Sequence, residues 1–341
     1  MTKYHRIRCV DTGFDDMASD FLLSAAARTL SIKAIYKAGE DAAYDTFRRL
    51  RWPETDGEPV CPKCGSLDHY NISTRRRFKC AGCGSQFSVT SGTIFASRKL
   101  AFTDLCAGIA IFVNAVKGLS ALQLGRDLDV SYKTAFVLAH RLCEALSLET
   151  RGATLAGEVE IDGAYFGGTV RPENRKEDRK DRRLKANLSD RRRVVIVMRQ
   201  RKGRTLTFVA KREAEGVALA KAYVAAGSKV YADEAGHWDD LNATFPDMGR
   251  INHTEAYLAD GANTNQAESY FARLRRMVSG QHHFVTARYL YQYAAEAAWK
   301  EDNRREPNGT AFARVIGLAM ASAKSASFCG YWQHRRIVKG A

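Results

Sequence analysis

Long apolar runs are missing from this chain. The longest, Leu105 to Val113, spans nine residues, against the roughly 20 that a helical membrane span requires, so no membrane crossing is expected. Proline is scarce, with six in 341 residues, and the 26 glycines follow no repeat, which excludes a collagen-like or low-complexity chain. The opening residues, MTKYHRIRCVDTGFDD, carry charges where a secretory signal has an apolar stretch. A secreted or membrane protein is therefore not expected, and the expected location is cytoplasmic. What remains is a chain with 45% hydrophobic and 27% charged residues, enough apolar material for a real core. Its length suggests about two domains, or one large domain with small modules.

Acidic residues are under-represented, and unevenly so. The net charge is +15. Residues 61–100 hold seven Lys and Arg against one acid, and residues 157–341 hold 32 against 22. Residues 1–60 and 101–156 are close to neutral. A basic excess confined to two segments points to a polyanion as partner, with nucleic acid the first candidate.

Four of the eight cysteines fall as Cys61-x2-Cys64 and Cys80-x2-Cys83, separated by 15 residues. This is the spacing of two knuckles closing one tetrahedral zinc site. In CPKCGS and CAGCGS the glycine lets the backbone turn amides toward thiolates. Arg75, Arg76, Arg77, Phe78 and Lys79 suit a short strand of a zinc ribbon, and His69 is expected at the surface. The metal is structural, since such a ribbon does not fold without it. Nucleic acid and protein contact are both open to a ribbon, and the spacing does not choose between them. Cys9, Cys106, Cys143 and Cys329 read as small buried hydrophobes.

A helical stretch follows. Phe102 to Val116 has helical apolar spacing, with Thr103-Asp104 as its expected cap. KGLSALQLGRDLDVSYKTAFVLAHRLCEAL reads as two helices about a tight turn, capped by Ser120 and Ser131. Leu122, Leu124 and Leu128 should point inward, with Val130 buried in the turn. This is a helix-turn-helix pattern whose second helix, Tyr132 to Leu146, exposes Tyr132, Lys133 and Thr134 at its start. Such helix pairs also occur as plain structural units, and the segment's neutral charge keeps that alternative open.

The remainder alternates strands and helices. GEVEIDGAYFGG, RRVVIVM and TLTFVA read as three strands, followed by a helix over 213–226, a strand ending at Asp233, a short helix over 235–241 and a helix over 263–278. Residues 171–193, with 11 Lys and Arg and five acids, read as a mobile basic loop. Three turn-connected strands and then a crossover predict an α/β fold with a ribonuclease H-like mixed sheet. The expected division is a helical segment over 1–55, zinc ribbon over 56–100, helix-turn-helix over 101–150, catalytic domain over 151–305 and helical tail over 306–341. Asp162 near the end of the first strand, Asp233 after the fourth and Glu268 on the later helix suit two Mg²⁺ or Mn²⁺ ions about 4 Å apart, because hard cations take oxygen ligands. Glu160 should share a strand face with Asp162 as a structural neighbour. Glu160→Gln and Asp260→Asn are expected to impair the chemistry much less than replacing Asp162 or Asp233.

The succession LRWPETDGEPVCPKCGS, FKCAGCGSQFSVTSGTIF, KGLSALQLGRDLDVSYKTA, VEIDGAYFGG, VYADE and NTNQAESYFARLRR resembles bacterial insertion-sequence transposases that join a zinc ribbon to an ISXO-type DDE domain. The resemblance runs from about residue 45 to 305. It implies a metal-dependent ribonuclease H-like core, recognition of terminal inverted repeats, and DNA cleavage with strand transfer. Asp162, Asp233 and Glu268 match the family's three acids, and Arg275 its basic residue seven positions after the third. That spacing puts Glu268 and Arg275 on one helix face, where a cation can grip phosphate. Asn265 shares the face and is the rival third ligand. Gly163 stands where an acid often follows the first Asp, and Asn263 where His often stands. The implied partners are double-stranded transposon ends and target DNA and a homo-oligomer formed on them, with a nucleoid-associated location. Tyr132, Lys133, Thr134, Arg75, Arg76, Arg77 and Arg276 are the expected DNA contacts. The alternatives are a DNA-binding derivative whose chemistry is lost and a different ribonuclease H-like nuclease.

The purified protein is expected to hold one Zn²⁺ per chain through Cys61, Cys64, Cys80 and Cys83. Elemental analysis checks this, and a folded preparation that binds DNA without zinc overturns it.

Overall fold

The structure, a computed structural model, describes residues 21–168, 173–181, 184, 187, 189–251 and 263–331. Cys9, Asp260 and parts of the basic segment 171–193 lie outside them. Residues 173–181 form bends and turns with no helix or strand. No helix among the described residues is long and apolar enough to cross a membrane.

Two bodies of core organise the chain. The first gathers α1 (Ile32–Arg51), the ribbon strands β1 (His69–Ile72), β2 (Arg77–Cys80) and β3 (Gln86–Phe87), then α2 (Phe102–Asn114), α3 (Ala121–Asp127) and α4 (Tyr132–Leu146). The helix α8 (Asn308–Ala321), far along the chain, buries Phe312, Val315, Ile316 and Ala319 in that same core. Its first residue acts as a clasp. The Asn308 side-chain carbonyl accepts from the Thr29 and Leu30 amides, both at 2.9 Å, and its NH₂ donates to the Leu30 carbonyl.

Among α2, α3 and α4, local signals explain the helix starts with one exception. Ser120 Oγ accepts from the Gln123 amide and Ser131 Oγ from the Thr134 amide, as N-caps should. The exception is α2. Its N-cap residue, Ala101, has no acceptor, and Thr103 is itself a donor. Glu40 supplies the cap from α1 by accepting from the Phe102 and Thr103 amides at 3.0 and 2.9 Å. The chain kinks just before it, at Gly39 (φ 82°). In the helix-turn-helix, Leu124 and Leu128 are buried but Leu122 is 52% exposed. The seven-residue α3 has too narrow a buried stripe to include it. Val130 is half-buried.

The second body is a five-stranded sheet built from β4 (Glu158–Phe166), β5 (Arg193–Gln200), β6 (Thr205–Ala210), β7 (Lys229–Asp233) and β8 (Gly249–Ile251). The order is β6-β5-β4-β7-β8, with β4, β5 and β6 antiparallel in turn and β7 and β8 parallel to β4. This is the ribonuclease H-like arrangement. Val159 and Ile161 face an apolar layer that includes Trp238 and α5 (Glu215–Tyr223). Ala164 and Phe166 face α6 (Asn265–Met277) and α7 (Leu290–Asp302). Asp162 does not end its strand, as expected from the sequence, but sits in the middle of β4. Pairing with β5 carries β4 on to Phe166, whereas the ladder to β7 is spent at Ile161.

Glu160 is fully buried. One carboxylate oxygen accepts from Arg201 Nε at 2.8 Å, and the other from the Gln266 and Ala267 amides at 2.8 and 3.1 Å. A charge on β4 thus caps the first turn of α6, where unsatisfied N–H groups and the helix dipole favour an anion. Arg201 adds a bond to the Asn263 carbonyl, and Arg199 Nε bonds Gln266. Glu160 is the structural neighbour anticipated from the sequence, but its replacement is not cheap. In Glu160→Gln an NH₂ must face either Arg201 or the two helix amides, donor against donor. The variant is expected to lose about 2–4 kcal/mol of stability in urea unfolding, with Glu158→Gln, at the exposed partner of Arg201, losing far less. Wild-type stability in Glu160→Gln would show that the clamp holds nothing.

Candidate active site

The ribbon places its four thiols as a zinc ion would need them. Cys61 and Cys83 sulfurs lie 3.7 Å apart, Cys64 and Cys80 sulfurs 3.5 Å. Four ligands at a Zn–S distance of about 2.3 Å stand about 3.8 Å from one another on a tetrahedron, so the tetrad fits that ion. All four sulfurs fall within 4.8 Å of one another. Gly65 (φ 74°) and Gly84 (φ 68°) turn the two knuckles. Ser85, through its hydroxyl and amide, pulls the Cys83 thiol down to about 6, favouring the thiolate a metal takes. His69 is half-buried against Phe78 and outside the set. Arg75 and Arg77 are exposed. Arg76 instead pairs with Glu40 and Asp41 and lies over Tyr44, holding the ribbon to α1.

The sheet builds the second site. Ile161 pairs with Ala232 in parallel register, so the next step along both strands brings Asp162 level with Asp233. Residues level on neighbouring strands share a face. Their carboxylates meet, and a third joins them: oxygens of Asp162, Asp233 and Glu213 lie within 4.8 Å of one another. Glu213 was not anticipated. It sits in the connection from β6 to α5, and the readable signal was topological, because a crossover from the edge strand to β7 must pass β4.

Room for Glu213 comes from Gly163. A Cβ at position 163 would stand 2.3 Å from Glu213 Oε1. The start of α5 is fixed as well, since a Cβ at Gly216 would meet the Trp238 ring at 2.6 Å and Gly216 N donates to the Glu213 carbonyl.

Burial raises Asp162 to about 6, and the Asp233 and Glu268 charges push it the same way, against the Gly163 amide and Arg275. Burial raises Glu213 to about 7, with Asp233 and Asp162 adding to it. Glu268 and Arg275 on α6 are therefore close enough for their charges to act on Asp162, though Glu268 is not one of the three tightly grouped acids. Arg275 is exposed and lies over the Phe271 ring at 5.6 Å. Asn265 is the exposed first residue of α6, and Arg276 is exposed near its end. Half-buried carboxylates pushing on one another, with oxygen donors only, are what a hard divalent cation relieves.

This architecture defines a zinc-ribbon protein with a ribonuclease H-like domain and a carboxylate cluster across its central parallel strands. Residues 154–302 match the ISXO2-like transposase domain, and residues 38–86 match the transposase zinc-ribbon domain. A relative described as an uncharacterized protein in transposable element ISH50 of Halobacterium salinarum is 22% identical over 301 residues, covering 82% of this chain and 97% of its own length. The chain belongs to the insertion-sequence transposases that combine these two domains.

Asp162 and Glu213 have folded pKa values above those of free carboxyls, so the stability they contribute is complete below about pH 4 and is lost as pH rises through about 6 and 7. Without added divalent metal, the melting temperature should fall by several degrees between pH 5.5 and 8. Asp162→Asn should flatten the fall, and Mg²⁺ should reverse it at pH 8. Scanning calorimetry checks this, and parallel wild-type and Asp162→Asn curves overturn it.

Proposed function

We propose that this protein is an active DNA transposase that binds the terminal inverted repeats of its insertion sequence and catalyses divalent-metal-dependent strand cleavage and strand transfer. The observation that carries the reading is the pairing of Asp162 with Asp233 on adjacent parallel strands, under the charges of Glu268 and Arg275. Asp162, Asp233 and Glu268 are the residues assigned to hold Mg²⁺ or Mn²⁺. Such ions, when bound, neutralise phosphate charge and activate an attacking water or 3′-hydroxyl.

The protein's own contribution is placement. The sheet fixes two carboxylates on backbone that does not move. The Glu160 clamp holds the start of α6 against that sheet, one turn before Glu268. Arg275, two turns further along, grips a phosphate of the strand being cut. Asn265 stands at the same end of the helix as the alternative third ligand.

DNA ends are read by residues 56–100 and 101–150, and residues 151–305 do the chemistry. Tyr132, Lys133 and Thr134 open α4, where a recognition helix presents its first turn to the major groove. Lys133 and Thr134 line a shallow cavity with Arg98, Lys99 and Arg141, a basic rim suited to backbone phosphates. Arg75, Arg77 and Arg276 add cationic surface, and the protein assembles as a homo-oligomer on the DNA ends.

Asp162→Asn and Asp233→Asn should lower Mg²⁺-dependent cleavage of a plasmid carrying the element's ends by orders of magnitude. DNA binding should persist or tighten, since clustered carboxylates repel phosphate. Comparing Glu268→Gln with Asn265→Ala decides the third ligand. Cleavage at the wild-type rate by both aspartate variants overturns the reading. A wild-type protein that binds the ends but never cuts them supports a DNA-binding derivative instead.

A further inference from the structure

We propose that Glu213 is a fourth carboxylate of the divalent-cation site, admitted by the absence of a side chain at position 163. The inference rests on the transposase reading above and extends it to a residue outside the Asp162, Asp233 and Glu268 set.

Two observations carry it. First, Glu213 reaches the pair of aspartates through space that any other residue at 163 would fill, as the 2.3 Å approach to its Oε1 shows. By strand alternation, position 163 points to the face of the sheet opposite Asp162. Glu213 therefore arrives from the α5 side and meets a carboxylate belonging to the α6 side. Second, no described residue compensates it. Among the described residues no hydrogen bond or ion pair engages the Glu213 carboxylate. Glu215, the neighbouring acid at the start of α5, does have a partner, accepting from the Arg212 amide. A half-buried carboxylate is costly without a partner, and what faces this one is two more carboxylates.

The sequence bears on the same point. Where an acidic residue often follows the first aspartate in the resembling family, this chain has glycine. The negative charge absent from position 163 is restored in space by Glu213, from 50 positions further along the chain.

Manganese binding to the full-length, zinc-loaded protein tests this by titration calorimetry, with cleavage as a second readout. Glu213→Gln should weaken Mn²⁺ binding at least about tenfold, leave zinc content unchanged, and leave DNA binding at least as strong. Gly163→Ala should do the same, because its methyl group displaces the Glu213 carboxylate. The double variant should be no worse than either single one, since both remove one ligand. Wild-type Mn²⁺ affinity in Glu213→Gln, alongside its loss in Asp162→Asn, overturns the role of Glu213 and leaves the aspartate site standing. If the wild type binds no Mn²⁺, the transposase reading of the site falls with it. If the two single variants weaken binding additively, Gly163 does not act through Glu213 and that part of the proposal fails.

Discussion

Two like charges held side by side impose the main constraint on the sheet-bearing half of this protein. Asp162 and Asp233 repel one another, and only the parallel pairing of β4 with β7 keeps them level. That pairing is protected on every side. Val159, Ile161, Val230 and Ala232 are fully buried, β5 continues the sheet past Asp162, and α5 and α6 cover its two faces. The energy of the apolar layers is what permits an unfavourable polar arrangement at their edge. Carboxylates crowded in this way are destabilising unless something offsets their charge.

The helix carrying Glu268 and Arg275 is joined to more than the sheet. Arg273 on α6 donates to Glu301 and to the Val116 carbonyl, in the connection before α3. Lys300 on α7, buried beside Glu296, donates to the Phe112 carbonyl at the end of α2. Gly118 (φ 79°) is pressed so closely to Met277 that a Cβ there would stand 2.7 Å from its side chain. The Arg273 and Met277 contacts tie α6 to the connection before α3, and the Lys300 contact ties α7 to α2. The Lys300 bond is buried, whereas the Arg273 bond to Val116 is exposed.

Much of this was legible in the residues. Cysteine spacing located the zinc tetrad because metal ligation tolerates little variation in spacing, and Ser120 and Ser131 marked helix starts because capping is a local interaction. The succession of strands followed from short apolar runs bounded by turns, whereas the two aspartates stood out from the other acids through the family resemblance. Non-local events were not legible. Glu40 caps α2 from 62 residues away, Glu160 caps α6 from 106 residues away, and Glu213 joins Asp162 only because the crossover passes β4. Each is an acidic residue with nothing unusual beside it in sequence. Leu122 misled because a leucine on an amphipathic helix looks buried until the helix proves too short to bury it. Glycine at 163 read as a departure from a pattern, whereas in space it is an opening that another side chain fills.

The clasp between Asn308 and the Thr29–Leu30 backbone has a consequence for the order in which the molecule comes into being. The first core contains α1 and α8 together, with the whole sheet domain inserted between them in sequence. A chain made from its N-terminus can bind zinc in the ribbon and form α1 to α4 early, but the apolar surface awaiting Phe312, Val315 and Ile316 stays open to water until the last helix has emerged. Closing that gap brings together segments nearly 280 residues apart, a slow step in any chain. During that interval the exposed surface invites association with other unfinished chains. Completion of the N-terminal half thus waits on completion of the catalytic half, and a chain cut short before α8 is left with neither a finished core nor a clasp.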